Sequence, residues 1–240
     1  MKTLRTLMIA AACIGFVSCV NGQFYKSISG NGNVVKNERT VSGFDGVKVS
    51  TGIDVILSQG DNEKVVVETD ENLQEYIKTE VRDGILNVYT DHISIRHADI
   101  EKVYVTIKDV KSLSTSSAGD IVGETPVRTD EIRLSASSSG DIKLELYAKS
   151  VKLDISSAGD IKLTGESETL DADLSSAGDL KAFEFKVKEA EVSVSSAGSA
   201  DIYTTDKLTA RASSAGDINY KGSPKYVDAH SSSAGGIHSR

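Results

Sequence analysis

Across residues 112–240 apolar and polar positions alternate in short bursts, interrupted at near-regular intervals by one small-residue turn. Ile142, Leu144 and Leu146 alternate with polar neighbours. Tyr147-Ala148-Lys149-Ser150 then break the pattern, and Val151, Leu153 and Ile155 resume it. A period of two marks a half-buried strand, so each unit reads as strand, turn, strand and Ser-rich turn. The turn stands as SSAGDI at Ser116, SSSGDI at Ser137, SSAGDI at Ser156, SSAGDL at Ser175, SSAGSADI at Ser195, SSAGDI at Ser213 and SSAGGI at Ser232. Its glycines, Gly119, Gly140, Gly159, Gly178, Gly198, Gly216 and Gly235, are spaced by 21, 19, 19, 20, 18 and 19 residues. A fixed period of this length is the mark of a solenoid, in which each unit buries its apolar face on the next.

Stacked coils place every strand beside its counterpart one period on, at a rise of about 4.8 Å. The six-residue period of left-handed β-helices is absent, and crossovers between parallel strands favour the right hand. The predicted fold is therefore all-β: a right-handed parallel β-helix with coils of about 19 residues. In the turn, Gly is expected to supply backbone angles closed to other residues and Ala to fit a tight corner. The serine hydroxyls are expected to tie the turn by hydrogen bonds.

Upstream, residues 40–110 read as a β-rich entry segment. Val47 and Val49, then Ile53, Val55 and Leu57, alternate with other residues, and Lys64 to Glu68 and Val103 to Ile107 form further strands. ENLQEYI from Glu71 could form a helical turn, and KTEVRDGILNVYT from Lys78 reads as a hairpin closed by Asp83-Gly84, the strongest local hairpin signal. Residues 23–39 are polar and read as a flexible linker. The domain is thus 40–240, divided into the entry segment 40–110 and the repeated coils 111–240.

Residues 1–22 have the build of a secretory signal: Lys2 and Arg5, an apolar stretch from Leu7 to Val17, then small residues. The stretch is too short to span a bilayer. Phe16-Val17-Ser18-Cys19 resembles a lipobox ending at residue 18, with Cys19 as candidate lipidation site, while Val20-Asn21-Gly22 could serve an ordinary signal peptidase. Cys13 and Cys19 are the only cysteines, so the mature fold is expected to hold no disulfide. The expected location is exported, in the outer membrane or periplasm or at the cell surface, with membrane contact only through a lipid anchor.

Composition narrows the function. Trp is absent, aromatics make up 5%, and the net charge of −8 without a basic tract argues against nucleic-acid binding. The Asp after the turn Gly, at Asp120, Asp141, Asp160, Asp179, Asp201 and Asp217, is the most tempting feature. Of these, Asp120, Asp141, Asp160, Asp179 and Asp217 are the candidates for a weak cation ladder. A Ca²⁺ ion needs six or more oxygens, so capping and solubilising the edge is the simpler role. His92, His97, His230 and His238 fall in no HExxH, and GxSxG and paired cysteines are missing, so no catalytic residue and no cofactor is expected. The outward Lys143, Lys152, Lys162 and Lys181 read as a solvated sheet surface.

The stretch GFDGVKVSTGIDVILSQGDNEKVVVETDENLQEYIKTEVRDGILNVYT and the SSAGDI series resemble the bacterial family described as "putative auto-transporter adhesin, head GIN domain", common in Bacteroidetes. The resemblance runs from about Val41 to the C-terminus, with Gly-Asp-Ile here in place of the family's Gly-x-Asn. It implies a right-handed β-helix and an envelope location, suggests adhesion, and carries no catalytic residue across. Two function classes stay open: an adhesin-like module with a surface, glycan or protein ligand, and a structural envelope lipoprotein. A polysaccharide-active β-helix enzyme is a third, weaker reading. The last copy, SSAGGIHSR, lacks a polar cap and leaves an end open to end-to-end self-association.

Overall fold

The computed structural model describes residues 26–91 and 93–240. The leader, with Cys13 and Cys19, and His92 lie outside the described residues. Residues 112–240 form a parallel β-solenoid with about seven coils spaced about 19 residues apart, as the repeat predicts. Strand Asp141–Ile155 pairs in parallel with Asp160–Leu174, which pairs with Asp179–Val194, which pairs with Ser199–Ala212. Apolar columns follow the register: Ile142 lies beside Ile161 and Leu153 beside Ala172, each at most 2% exposed. The predicted outward lysines Lys143, Lys162 and Lys181 share one register position.

The entry segment is more than a lead-in, because it supplies coils of its own. Gly46–Val49 and Asp54–Gln59 make one coil, and Ile85–Thr90 with Glu101–Ile107 make another. Their stacking does not follow the sequence. The 46–59 coil lies between the 85–107 coil and the coil of Ser112–Thr115 and Asp120–Gly123: Val47 sits between Leu86 and Leu113, and Val55 between Val103 and Ile121. After Ile107 the chain must cross a coil laid down earlier. It does so through residues 108–111, with Val110 buried and the Lys111 N–H donating to the Asp45 carbonyl at 2.7 Å.

The N-terminal end is closed by antiparallel strands. Lys64–Asp70 folds back on Glu101–Ile107, and the hairpin of Ile77–Arg82 with Ile85–Thr90 turns at Asp83-Gly84 as expected. The helical turn is a short 3₁₀ segment, Glu71–Leu73. The linker expectation for 23–39 needs correction, since Val34–Arg39 is a strand paired antiparallel with Lys64–Asp70. It is an outer strand with no residue fully buried, held by backbone ladder bonds, so its side chains carry no period. The Arg39 guanidinium donates to the carbonyl and side-chain oxygens of Gln74 at 2.7 and 2.9 Å, which ties that strand to the cap.

The repeated turn also differs from expectation. In Ser156-Ser157-Ala158-Gly159 the positive-φ residues are Ser157 (52°) and Ala158 (59°), and the Gly159 N–H donates to the Ser156 carbonyl at 3.0 Å. Positive φ at both central residues with this closing bond defines a type I′ turn. Gly159 is therefore required for room: a Cβ there would lie 2.6 Å from the carbonyl carbon and oxygen of Ala136 in the preceding coil. The ties between turns are backbone bonds as well. Ala158 N–H donates to Ser176 carbonyl, Ala177 to Ser196, Ala197 to Ser214 and Ala215 to Ser233, at 3.0 or 3.1 Å. These bonds run from each turn to the next and hold the left-handed pair that isolated Ser-Ala would resist.

Candidate functional site

Three outward features follow from this register. The first is the Asp row. Asp120, Asp141, Asp160 and Asp179 occupy one register position in successive coils, and Ser199 stands between Asp179 and Asp217. Asp54 extends the row toward the N-terminal end, because Ser50-Thr51-Gly52-Ile53-Asp54 fills the same turn position and carries positive φ at Thr51 and Gly52. This additional copy is hidden by its Ile in place of Gly. Asp201 is not in the row: Ser199 and Ala200 take the two positions after Gly198, so Asp201 pairs with Lys181 and Asn219 instead.

The carboxylates of the row disturb one another. Partial burial first, then Asp120 and Asp160, push the Asp141 carboxyl above the ordinary range. Burial and Asp54 raise Asp120, and burial with Asp160 raises Asp179. Compensation comes from within the surface: Lys181 reaches back to Asp160 at 2.5 Å, and the Asp141 N–H donates to Asp120 Oδ1 at 3.2 Å. Among the described residues, no three His, Cys, Asp or Glu side chains converge as a metal cluster.

The second feature runs along the corner where the strands bend, around residues 147–150. Asp130, Lys149, Glu168, Lys188, Asp206 and Lys225 follow one another along it with strictly alternating sign. Salt bridges join Lys149 to Asp130 at 2.9 Å, Lys188 to Glu168 at 3.1 Å and Lys225 to Asp206 at 2.8 Å. Beside this ridge lies a groove of about 730 Å³ lined by Arg128, Tyr147, Glu166, Ser167, Lys186 and Thr205, among others. Arg128 stacks on the Tyr147 ring at 4.2 Å from its centre, and the Tyr147 hydroxyl donates to Glu145 Oε1 at 2.9 Å. A planar cation on an aromatic face, flanked by charges of both signs, suits polar and amphipathic ligands.

The third is a groove of about 590 Å³ beside the Ser turns, where Ser135, Asp154, Asp173, Ser193, Arg211 and His230 face outward. His230 Nε2 lies 2.9 Å from Asp228, and His238 Nε2 lies 3.2 Å from Asp217. Among the described residues no serine hydroxyl hydrogen-bonds to a histidine, so neither pair is completed into a nucleophile relay.

No helix among the described residues is long and apolar enough to cross a membrane. Comparison with curated proteins returns no match. Among solved structures the fold is similar to a putative adhesin from Bacteroides fragilis, with 20% identity, a TM-score of 0.83, and 89% of this chain and 100% of that chain covered. A putative lipid binding protein from Parabacteroides distasonis gives 24% identity, a TM-score of 0.75, and coverage of 90% and 100%. A putative adhesin from Parabacteroides merdae gives 23% identity, a TM-score of 0.72, and coverage of 90% and 99%. The family model "Putative auto-transporter adhesin, head GIN domain" matches residues 43–224, most of the solenoid and its cap, and the chain belongs to that family.

Proposed function

We propose that the chain is a non-catalytic, adhesin-like binding module of the cell envelope that engages a glycan or protein ligand along the corner groove. The observation that carries this reading is the stacked Arg128 and Tyr147 pair at the lip of that groove. Lys36 on Tyr104 and Lys221 on Phe183 are stacked as well, but the Arg128 and Tyr147 pair lines a concavity of about 730 Å³ on which several donors converge. The family's adhesin description and the leader's signal-like build support an exported, envelope location. One structural neighbour is named a lipid binding protein. The solenoid interior here is filled by side chains such as Leu146, Leu153 and Phe185, none more than 1% exposed, so a lipid would have to lie on the surface.

The test is binding of the mature protein to glycan and protein arrays, repeated with R128A, Y147A and the control K162A, which does not line the groove. Loss of at least tenfold in affinity for both groove variants, with the control unchanged, is expected. Binding that survives both groove variants would move the site elsewhere, and no binding at all would favour a structural envelope role. Protease treatment of intact cells, with the mass of the mature N-terminus, decides lipidation at Cys19 and the exposed side.

A further inference from the structure

The two ends of the solenoid are unlike. The N-terminal coil is covered by antiparallel strands, whereas strand Tyr226–Ser231 in the last described coil pairs only with Lys207–Ala212. Its inward positions continue the buried column of Leu208, Ala210 and Ala212, yet Val227 is 48% exposed, and outward Tyr226 is 74% exposed.

The free edge has a definite polarity. The Ser232 N–H donates to the Ala212 carbonyl in the preceding coil. Backbone groups of alternate residues point the same way. The N–H and C=O groups of His230 and Asp228 therefore also face that coil, and those of Val227, Ala229 and Ser231 face outward from the end.

We propose that this edge pairs with the same edge of a second copy, tail to tail and antiparallel, with Ala229 on the two-fold axis. Sheet pairing must set inward residues opposite inward residues, which leaves three central registers. Centring on Asp228 places Asp228 against its own copy, and centring on His230 places His230 against its own copy. Centring on Ala229 keeps these like residues apart and sets Asp228, which Arg211 and His230 of its own chain already hold, opposite the second copy's His230 twice, extending the carboxylate–imidazole pairing across the join. The same register makes Ala229 opposite Ala229 and Val227 opposite Ser231 hydrogen-bonded pairs, using the outward backbone groups. It also buries Val227 at the join of the two cores. A second copy is the partner whose end repeats this outline, and this interface is small, so association is weak and read at high protein concentration.

Residues at a hydrogen-bonded antiparallel position have Cα atoms about 5.5 Å apart, within disulfide reach. The test uses the full chain carrying C13S and C19S, with A229C or, as control, Y226C, oxidised at about 0.5 mM. A229C is expected to give a covalent dimer in good yield, whereas Y226C, whose copy lies about six residues away along the strand, is not. The unmodified mature protein should shift toward dimer mass in sedimentation as concentration rises, and V227K should abolish the shift. A monomer at 0.5 mM, or equal crosslinking by A229C and Y226C, would overturn the proposal. Binding through the corner groove is read separately, since Arg128 and Tyr147 lie away from this end.

Discussion

The repeated turn separates two requirements that a sequence joins into one motif. Ala158 holds a left-handed angle that costs a residue with a Cβ about 1–2 kcal/mol, and its side chain is exposed. Gly159 has an ordinary angle but no space for a Cβ, because the obstacle is the backbone of Ala136. The two substitutions therefore have opposite signs. A158G should leave stability unchanged or raise it by up to about 1 kcal/mol, the angle gained offsetting the entropy lost. G159A should cost about 1–3 kcal/mol, since packed backbone cannot retreat from an added methyl. Denaturant midpoints at constant slope measure both. If A158G proved the more damaging, the division of labour would be reversed.

Within single strands and their stacks, charge follows the register. The Asp row accumulates like charge along one position, while the corner ridge alternates in sign, so the row is strained by its neighbours and the ridge is relieved by them. The Asp141 carboxyl is held above its ordinary value of 3.8 in the folded chain. Such a group costs stability once ionised. The cost is absent below the unfolded pKa and is complete above the folded one. D141N should accordingly be more stable than the parent at pH 7, by no more than about 1 kcal/mol given solvent screening, and the difference should shrink as pH falls toward 3.8. Asp228 and Asp206 run the other way, lowered first by hydrogen bonds to Arg211 and Lys225, and lose their contribution on acidification. Thermal melts of D141N against parent between pH 3.5 and 7 measure the trend, and a constant difference across that range would rule out a carboxyl raised by burial and by its neighbours Asp120 and Asp160.

The elements differ in how far the sequence announces them. The coils from Ser112 on were legible because each buries an alternating face and repeats the same crowded corner, which restricts residue choice at every copy. The hairpin at Asp83-Gly84 was legible from local turn chemistry. Val34–Arg39 was not, because an outer strand owes its place to backbone bonds; the strands within 46–59 were, but their place as a coil was not, because Ile53 stands where the repeated corner has Gly. The corner groove had no signature either: Arg128 and Tyr147 are neighbours only through the parallel register, 19 residues apart.

At the scale of the molecule the winding order decides where stability lies. In a simple solenoid each coil touches two sequence neighbours and can open from either end. Here the coil of Gly46–Val49 and Asp54–Gln59 is clamped between strands that come later in the chain, and the strands of Lys64–Asp70 and Val34–Arg39 cover the end beyond it. It cannot be exposed without separating the 85–107 coil from the 112–123 coil. Among the described residues the last coil is held on one side only, with inward Val227 and Ala229 exposed. Backbone amides in 46–59 should therefore exchange only by global unfolding, while those in 226–239 should exchange through local opening, with protection declining stepwise between them. Hydrogen exchange read by mass spectrometry on the mature protein measures this gradient. Uniform protection from one end to the other would mean that the coils open as one unit. The same measurement also reports on self-association, because the edge amides of Val227, Ala229 and Ser231 gain partners only in the tail-to-tail pair. Their exchange should slow as protein concentration rises, while exchange in 46–59 stays constant. A concentration-independent profile at these three amides would leave the C-terminal edge unpaired.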